Sequence, residues 1–283
     1  VAEKMKMPQI VIGLTIVAMG TSMPEFCVSF ISALKGTSDL AVGNIVGSNI
    51  FNALLIVGVS ALVAPMTIME TTVRKDIPFA LVASALLLIM CLDGNISRID
   101  AGILFAMFLI FMYMTLKGAK KQGADAEAAD EAEGKKPMAT WLSVVWILVG
   151  LLCLIGGSNL FVEGATAVAT SLGVSEAVIG LTIVAGGTSL PELATSVVSA
   201  RKGNSGIAIG NALGSNVFNI LAILGITGMI TPMTLKGITY IDLSMLVISI
   251  MIVWLFSFTK YKIERWEGAV LTAVFVGYIY SLL

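Results

Sequence analysis

The sequence contains the same unusual hexapeptide twice, as "GTSMPE" at residues 20–25 and "GTSLPE" at residues 187–192. In each copy a proline and a glutamate interrupt an otherwise apolar stretch. A proline removes a backbone N–H from a helix, and a charged side chain in an apolar segment costs free energy. Because the chain keeps this costly feature twice, the two hexapeptides are candidate functional sites.

The hexapeptides belong to a longer internal duplication. Residues 12–52 align without gaps to residues 179–219, a shift of 167 positions, and 26 of the 41 aligned positions are identical. The chain therefore consists of two related halves.

The composition indicates a membrane protein. Of the 283 residues 57% are hydrophobic and 12% are charged, and the mean hydropathy is +0.97. A soluble domain of this size would need far more polar surface. Together with the long apolar runs, these values predict an all-α polytopic membrane protein. The spans are expected at residues 8–34, 40–64, 77–92, 100–116, 139–161, 174–200, 206–230, 240–258 and 266–283.

The composition also excludes several classes of chemistry. The chain has no histidine, which rules out His-based catalytic pairs, His-ligated metals and a His proton relay. The basic residues are few and scattered, so no nucleic-acid partner is expected. No cofactor is expected either.

The two halves are predicted to be inverted five-helix repeats. Residues 1–116 form the first repeat, residues 117–138 a charged, alanine-rich linker, and residues 139–283 the second repeat. The span at 139–161 has no partner in the first half, so the pattern predicts a ten-helix plan whose first helix is absent from this chain. The helix at 139–161 should lie at the periphery.

The distribution of positive charge predicts the orientation. If residue 1 lies in the cytoplasm, 14 of the 17 Lys and Arg residues fall on the cytoplasmic side, as the positive-inside rule expects. The linker is then cytoplasmic and the C-terminus is outside. Lys35 and Lys202 are repeat partners that fall on opposite sides, so the repeats are inverted, as in many secondary transporters.

Each hexapeptide offers hard oxygen ligands. Pro24 and Pro191 should free the carbonyls of Gly20 and Gly187. Hydroxyl and carboxylate groups lie beside them, on Thr21, Ser22 and Glu25 and on Thr188, Ser189 and Glu192. This oxygen set suits Ca²⁺ or Na⁺. Inversion should bring the two sets together at mid-membrane, where two carboxylates would neutralise one divalent cation.

A second motif, "GNIVGSNIFN" at 43–52 and "GNALGSNVFN" at 210–219, adds amides and hydroxyls. Four of these side chains are candidate ligands for a monovalent ion: Ser48, Asn52, Ser215 and Asn219. For four others, ion binding and interhelical hydrogen bonding explain the sequence equally well: Asn44, Asn49, Asn211 and Asn216.

The paired motifs resemble the α-1 and α-2 repeats of the cation/Ca²⁺ antiporter superfamily, on its Na⁺/Ca²⁺ exchanger branch, and are closest to its prokaryotic members. The resemblance implies electrogenic exchange of several Na⁺ for one Ca²⁺ by alternating access. It also implies that the first helix of each half slides against a rigid core.

The resemblance also implies a ligand set. The central acids correspond to Glu25 and Glu192, and Ca²⁺ is expected on these together with Thr21 and Thr188. The resemblance adds the carbonyls of Ala18 and Ala185 and the side chains of Ser22, Ser189, Ser48, Ser215, Asn52 and Asn219. Several family members, including K⁺-dependent ones, carry Asp at the place of Asn219, so this chain departs from the K⁺-coupled pattern.

Two other functions use similar residues. A Ca²⁺/H⁺ antiporter is the alternative, since a buried glutamate pair can also carry protons. A cation channel would use the same oxygens, but inverted repeats and broken helices favour alternating access. No enzymatic activity is expected.

Overall fold

The computed structural model describes residues 7–126 and 140–282. Within these ranges the chain is almost entirely helical. The first repeat contains α1 (Gln9–Thr21), α2 (Met23–Leu34), α3 (Ser38–Val63), α4 (Thr72–Asp93) and α5 (Arg98–Ala126). The second contains α6 (Thr140–Ser171), α7 (Glu176–Thr188), α8 (Leu190–Arg201), α9 (Ser205–Ile230), α10 (Tyr240–Ser257) and α11 (Arg265–Leu282).

Two of the expected spans are bent pairs of helices. The α1–α2 pair bends by 47° and the α7–α8 pair by 46°. Counting each pair once, seven spans in the described residues are long and apolar enough to cross a membrane. The other two expected spans form α6, where many side chains lie outside the described set, and α11, whose first turn is charged. The total of nine membrane spans therefore remains a prediction.

Two helices run beyond their expected ends. The helix α5 continues to Ala126, ten residues into the segment expected to be a linker, and α6 continues to Ser171. Alanine and lysine are strong helix formers, so the alanine-rich sequence after residue 116 sustains α5. The rest of the expected linker, up to residue 138, lies outside the described residues.

Four two-residue strands relate the halves to each other. They are β1 (Met66–Thr67), β2 (Asn95–Ile96), β3 (Met233–Thr234) and β4 (Lys262–Ile263). Adding 167 to the residue numbers of β1 gives those of β3, and adding 167 to those of β2 gives those of β4. In space, β1 pairs with β4 and β2 pairs with β3.

These pairings show the inversion. Since β1 precedes α4 and β2 follows it, the two strands lie at opposite ends of that span. The repeat partner of β1 is β3, which pairs with β2 at the far end. Equivalent segments therefore lie on opposite sides of the molecule, and the two repeats are inverted.

Glycines allow the central helices to cross at close range. A Cβ on Gly214 would lie 2.7 Å from the Leu14 carbonyl oxygen, and a Cβ on its partner Gly47 would meet the Leu181 carbonyl oxygen. The small residues therefore set α9 against α1 and α3 against α7, as in small-xxx-small packing. Both crossings join one repeat to the other, so the centre of the molecule is shared between them.

The helix α6 lies at the edge of this core. Among its described side chains only Val162 and Ala169 are buried, whereas Leu152 and Leu160 are largely exposed. It packs beside α7 and α8, and the described residues contain no helix at the equivalent place of the first repeat. The peripheral position expected from the sequence is observed.

Candidate ion-binding site

The bend in each repeat occurs at a serine. The backbone of Ser22 has φ −82° and ψ 12°, and Ser189 has φ −86° and ψ 7°. A new helix begins immediately after each, with Pro24 or Pro191 in its first turn, where a missing N–H costs no hydrogen bond. The prolines therefore start new helices and do not kink continuous ones.

This geometry corrects one expectation from the sequence. The Gly187 carbonyl is not freed by Pro191, because it accepts a backbone N–H at the end of α7.

The two bends meet through crossed hydrogen bonds. The Ser22 hydroxyl donates to Glu192 Oε1 at 2.8 Å, and the Ser189 hydroxyl donates to Glu25 Oε1, also at 2.8 Å. Each serine therefore binds the carboxylate of the opposite repeat. Both glutamates have no exposed surface, so neither faces lipid.

Each carboxylate keeps one oxygen without a protein partner. Within the described part of the chain, Glu25 Oε2 and Glu192 Oε2 are buried and have no hydrogen-bond partner. A buried carboxylate is costly unless it is paired with a cation or takes up a proton. The two free oxygens are therefore suited to a positive charge shared between the repeats.

Thr21 and Thr188 are also bound across the repeats. Thr21 Oγ1 lies 3.1 Å from Asn211 Oδ1, and Thr188 Oγ1 lies 3.1 Å from Asn44 Oδ1. The structure thus brings both predicted hydroxyl groups next to the glutamates, on a pseudo-two-fold arrangement.

The alanine carbonyls are less available than expected. The Ala18 carbonyl accepts from Ser22 N at 3.0 Å and from Thr21 Oγ1 at 3.3 Å. The Ala185 carbonyl has three donors within 3.3 Å: Ser189 N, Ser48 Oγ and Thr188 Oγ1. A carbonyl has two lone pairs and the Ser189 N–H uses one, so Ala185 can bind an ion only if both hydroxyls donate elsewhere.

The second motif lies in the same buried region. Ser215 Oγ donates to Glu192 Oε1 at 3.4 Å, whereas Ser48 donates to the Ala185 carbonyl. Asn52 and Asn219 lie in π-helical turns, at Phe51–Ile56 and Phe218–Ile223. Such turns occur often at functional sites, since they reorient side chains within a helix.

The two π-turn asparagines differ in their contacts. Among the described residues, neither amide atom of Asn52 has a hydrogen-bond partner. Asn219 Nδ2 donates to Asn49 Oδ1 at 3.2 Å, while Asn219 Oδ1 has no partner in the described ranges. Both side chains therefore offer an unused oxygen in the interior.

The remaining asparagines make contacts between helices. Asn49 Nδ2 donates to the Asn216 carbonyl at 3.4 Å, and Asn216 Nδ2 donates to the Asn49 carbonyl at 3.2 Å. These reciprocal bonds join α3 to α9 at equivalent positions. For this pair, interhelical bonding explains the observed contacts.

Two buried serines complete the network and were not singled out from the sequence. Ser29 Oγ accepts from Asn44 Nδ2 at 2.9 Å, and Ser196 Oγ accepts from Asn211 Nδ2 at 3.0 Å. Both have no exposed surface. They occupy identical positions of the duplication, and this repeated polar residue was the signal that could have revealed them.

The donor set of the site is made of hard oxygens. Two carboxylates are surrounded by neutral hydroxyl, amide and carbonyl groups, and the described residues contain no cluster of three or more His, Cys, Asp or Glu side chains. Such a set favours Na⁺ or Ca²⁺ over soft metals.

Comparison with known proteins identifies the family. The model of the sodium/calcium exchanger protein family matches residues 1–117 and 142–283. The chain belongs to the sodium/calcium exchanger family. The match leaves out residues 118–141, which include most of the segment between the two repeats.

Relatives from several prokaryotes support this assignment. The chain is 36% identical to the putative antiporter CaxA of Alkalimonas amylolytica, covering 100% of this chain and 90% of the relative. It is 30% identical to the sodium/calcium exchanger MaX1 of Methanosarcina acetivorans, covering 100% and 91%.

The fold agrees with that of a solved exchanger. The structure of the sodium-calcium exchanger NCX_Mj soaked with Na⁺ and Ca²⁺ superimposes with a TM-score of 0.81 at 31% identity, covering 100% of this chain and 90% of that one. The chain is thus an integral membrane transporter of the cation/Ca²⁺ exchange class with the inverted-repeat exchanger fold, and not an enzyme.

Proposed function

We propose that the protein is a Na⁺/Ca²⁺ antiporter that binds its ions between the two bends. The observation that carries this proposal is the crossed pair of buried glutamates, each bonded to the serine of the other repeat and each with a free carboxylate oxygen. Two carboxylates balance one Ca²⁺, so a single dication removes the cost of burying both charges.

Ca²⁺ is bound by Glu25, Glu192, Thr21 and Thr188. The two free carboxylate oxygens and the two threonine hydroxyls come from opposite repeats in equal number. A site built equally from both repeats can open to either side of the membrane when one repeat moves against the other.

Several Na⁺ ions occupy the same region when Ca²⁺ is absent. Their ligands are the carboxylates and the neutral oxygens around them, on Ser22, Ser189, Ala18, Ala185, Ser48, Ser215, Asn52 and Asn219. The unpartnered Asn52 and Asn219 oxygens support this assignment, because a buried amide oxygen without a donor can accept a monovalent ion. Since Na⁺ and Ca²⁺ share ligands, they compete, which is the basis of exchange.

The protein lies in the prokaryotic inner membrane with residue 1 and residues 117–138 in the cytoplasm and the C-terminus outside. The excess of Lys and Arg on that side supports this orientation. The exposed helix α6 slides along α7 and α8 as the gate of alternating access, since few of its described side chains are buried.

Exchange is expected to be independent of K⁺. Asn219 contributes no charge, so Ca²⁺ alone neutralises the site, and a K⁺ beside it would be repelled in a low-dielectric interior. The variant Asn219→Asp should change ion selectivity more than folding.

Ca²⁺ flux in sealed proteoliposomes tests these points. An outward Na⁺ gradient should drive Ca²⁺ uptake at constant pH, constant membrane potential and in the absence of K⁺. Uptake that follows a proton gradient and ignores Na⁺ would replace this proposal with Ca²⁺/H⁺ exchange. Uptake without any counter-ion would indicate a channel, and loss of uptake without K⁺ would refute K⁺ independence.

A further inference from the structure

Asn44 and Asn211 lie just behind the site and make the same set of contacts in each repeat. Asn44 Nδ2 donates to Ser29 Oγ at 2.9 Å and to the Glu25 carbonyl at 3.3 Å. Its Oδ1 lies 3.1 Å from Thr188 Oγ1. The side chain therefore touches the backbone of one predicted ligand and the hydroxyl of another from the opposite repeat.

These contacts fix which way the amide points. A backbone carbonyl can only accept, so the atom facing the Glu25 carbonyl must be the NH₂ group. The Asn44 oxygen then faces Thr188, and because an amide oxygen can only accept, the threonine hydroxyl must be the donor.

The direction of this hydrogen bond matters for a cation. A hydroxyl has one hydrogen and two lone pairs. When the hydrogen points to Asn44, the lone pairs of Thr188 remain for an ion, and no hydrogen is directed at the positive charge. Thr188 Oγ1 has two other possible partners, the carbonyl of Ala185 in its own helix at 3.3 Å and Ser48 Oγ at 3.5 Å.

The second repeat repeats the arrangement with the roles exchanged. Asn211 Nδ2 donates to Ser196 Oγ at 3.0 Å and to the Glu192 carbonyl at 3.3 Å, and its Oδ1 lies 3.1 Å from Thr21 Oγ1. The asparagine–threonine distances match in the two repeats. Thr21 Oγ1 has two other possible acceptors in its own helix, the Val17 carbonyl at 3.1 Å and the Ala18 carbonyl at 3.3 Å. Both asparagines have no exposed surface.

We infer that Asn44 and Asn211 are positioning residues that orient the threonine hydroxyl of the opposite repeat for ion binding. Asn44 acts through Thr188, and Asn211 acts through Thr21. The inference rests on the proposed ion-binding function, and it adds a link from the backbone of each glutamate to a ligand in the other repeat. Movement of one repeat would change the ligands of both.

Double-mutant cycles on the purified full chain test this link. In Na⁺-free buffer, Ca²⁺ is titrated and the rise in the unfolding temperature gives the Ca²⁺ affinity, since a ligand that binds the folded state stabilises it. Asn44→Ala should weaken Ca²⁺ binding about tenfold, as the loss of an outer-shell partner does at other metal sites. In the Thr188→Val background, the same substitution should have an effect of less than about twofold, because little of its target remains.

The same chain offers a matched control. Thr21→Val removes the equivalent hydroxyl that Asn44 does not touch, so Asn44→Ala should still weaken binding about tenfold in that background. The reverse pattern is expected for Asn211→Ala, which should lose its effect with Thr21→Val and keep it with Thr188→Val. If one asparagine variant fails to unfold cooperatively in Ca²⁺-free buffer, the other repeat provides the same cycle.

The outcomes separate this inference from the proposed function. An unsubstituted chain without any Ca²⁺-dependent rise would overturn both. An unsubstituted chain that responds to Ca²⁺, with asparagine effects that are equal in the two threonine backgrounds, would overturn the positioning role alone. Coupling confined to the 44/188 and 211/21 pairs would support it.

Discussion

The two repeats are nearly the same in the hydrogen bonds that cross between the two bends, and they differ in other parts of the molecule. At the site, the paired hydrogen bonds agree in length: 2.8 Å for both serine–glutamate bonds and 3.1 Å for both threonine–asparagine contacts. Each of these bonds joins one repeat to the other. The two repeats therefore match most closely where hydrogen bonds cross from one repeat to the other.

Away from the site, the repeats have diverged. The helix α10 begins with a capping box in which Asp242 accepts from Thr239, and Tyr278 donates a further bond to Asp242 at 2.9 Å. In the first repeat, the position of Tyr278 is occupied by Phe111, and α4 begins with a π-helical turn at Thr72–Asp76. Helix ends can thus be stabilised in different ways without changing the site.

The comparison suggests a simple rule. Substitutions at equivalent positions whose contacts match in the two repeats should have equal effects, and substitutions at equivalent positions whose contacts differ should not.

The largest effect is expected from the glutamates. Glu25→Gln and Glu192→Gln should each reduce Ca²⁺ exchange in proteoliposomes below detection, because one remaining charge balances a dication poorly in a buried site. Glu70→Gln is the control, since Glu70 is exposed and pairs with Arg74 at the surface. Normal Ca²⁺ flux in either glutamate variant would contradict both the rule of equal effects and the proposed ion site.

The serines should have smaller but equal effects. Ser22→Ala and Ser189→Ala each remove a hydrogen bond to a buried carboxylate, a loss of about 1.5–3 kcal/mol or roughly 10- to 100-fold in ion affinity. The Ca²⁺ concentration at half-maximal exchange should rise by the same factor in both, within about threefold. Effects that differ by more than tenfold would show that the site is not symmetric.

Substitutions of the two π-turn asparagines should lower the unfolding free energy by different amounts. Asn219→Leu leaves Asn49 Oδ1 buried without its donor and should cost about 1–3 kcal/mol of unfolding free energy. Asn52→Leu removes amide atoms that have no partner in the described structure, so it should cost less than about 0.5 kcal/mol. Thermal unfolding in Ca²⁺-free buffer gives both values, and equal destabilisation would contradict the observed difference.

The smallest effect is expected at the N-terminus of α10, where Tyr278 of α11 donates to Asp242. Tyr278→Phe makes the second repeat resemble the first and removes one hydrogen bond, which should cost about 1 kcal/mol of unfolding free energy. The cost is small because Asp242 keeps the bonds from Thr239. The exposed Tyr280, changed to Phe, is the control, and Ca²⁺ affinity should be unchanged in both variants.

The sequence predicts the architecture well because it contains the same motif-bearing segment in both halves. The 167-residue shift pairs Glu25 with Glu192 and, with the charge distribution, predicts the inversion that the strand pairings show. Equivalent residues on inverted repeats can meet only near the pseudo-two-fold axis. The meeting of the two motifs therefore followed without any knowledge of distances.

The details of the helices could not be obtained in this way. The bends occur at Ser22 and Ser189, and the freed carbonyl expected at Gly187 is bonded, since backbone groups rearrange locally at a helix end. The length of α5 was underestimated because a charged alanine-rich segment reads equally as a linker or as a helix.

The contacts between side chains could not be predicted from the sequence either. The duplication indicates that Asn44 and Asn211 are polar residues worth keeping, but it does not distinguish ion binding from packing. Only the structure shows that each donates to a glutamate carbonyl and accepts from a threonine of the other repeat. Such crossed contacts depend on how the repeats pack together, which no local pattern records.

The most direct test of the central claim is a structure of the full chain determined in Na⁺-free buffer with Sr²⁺ in place of Ca²⁺, located by its anomalous scattering. One strong peak is expected between Glu25 and Glu192, close to Thr21 and Thr188. In a matched structure with the lighter Ca²⁺, the ion should lie at about 2.3–2.6 Å from oxygens of both repeats. A peak bound by one repeat alone, or a site elsewhere in the molecule with none between the glutamates, would contradict the central claim.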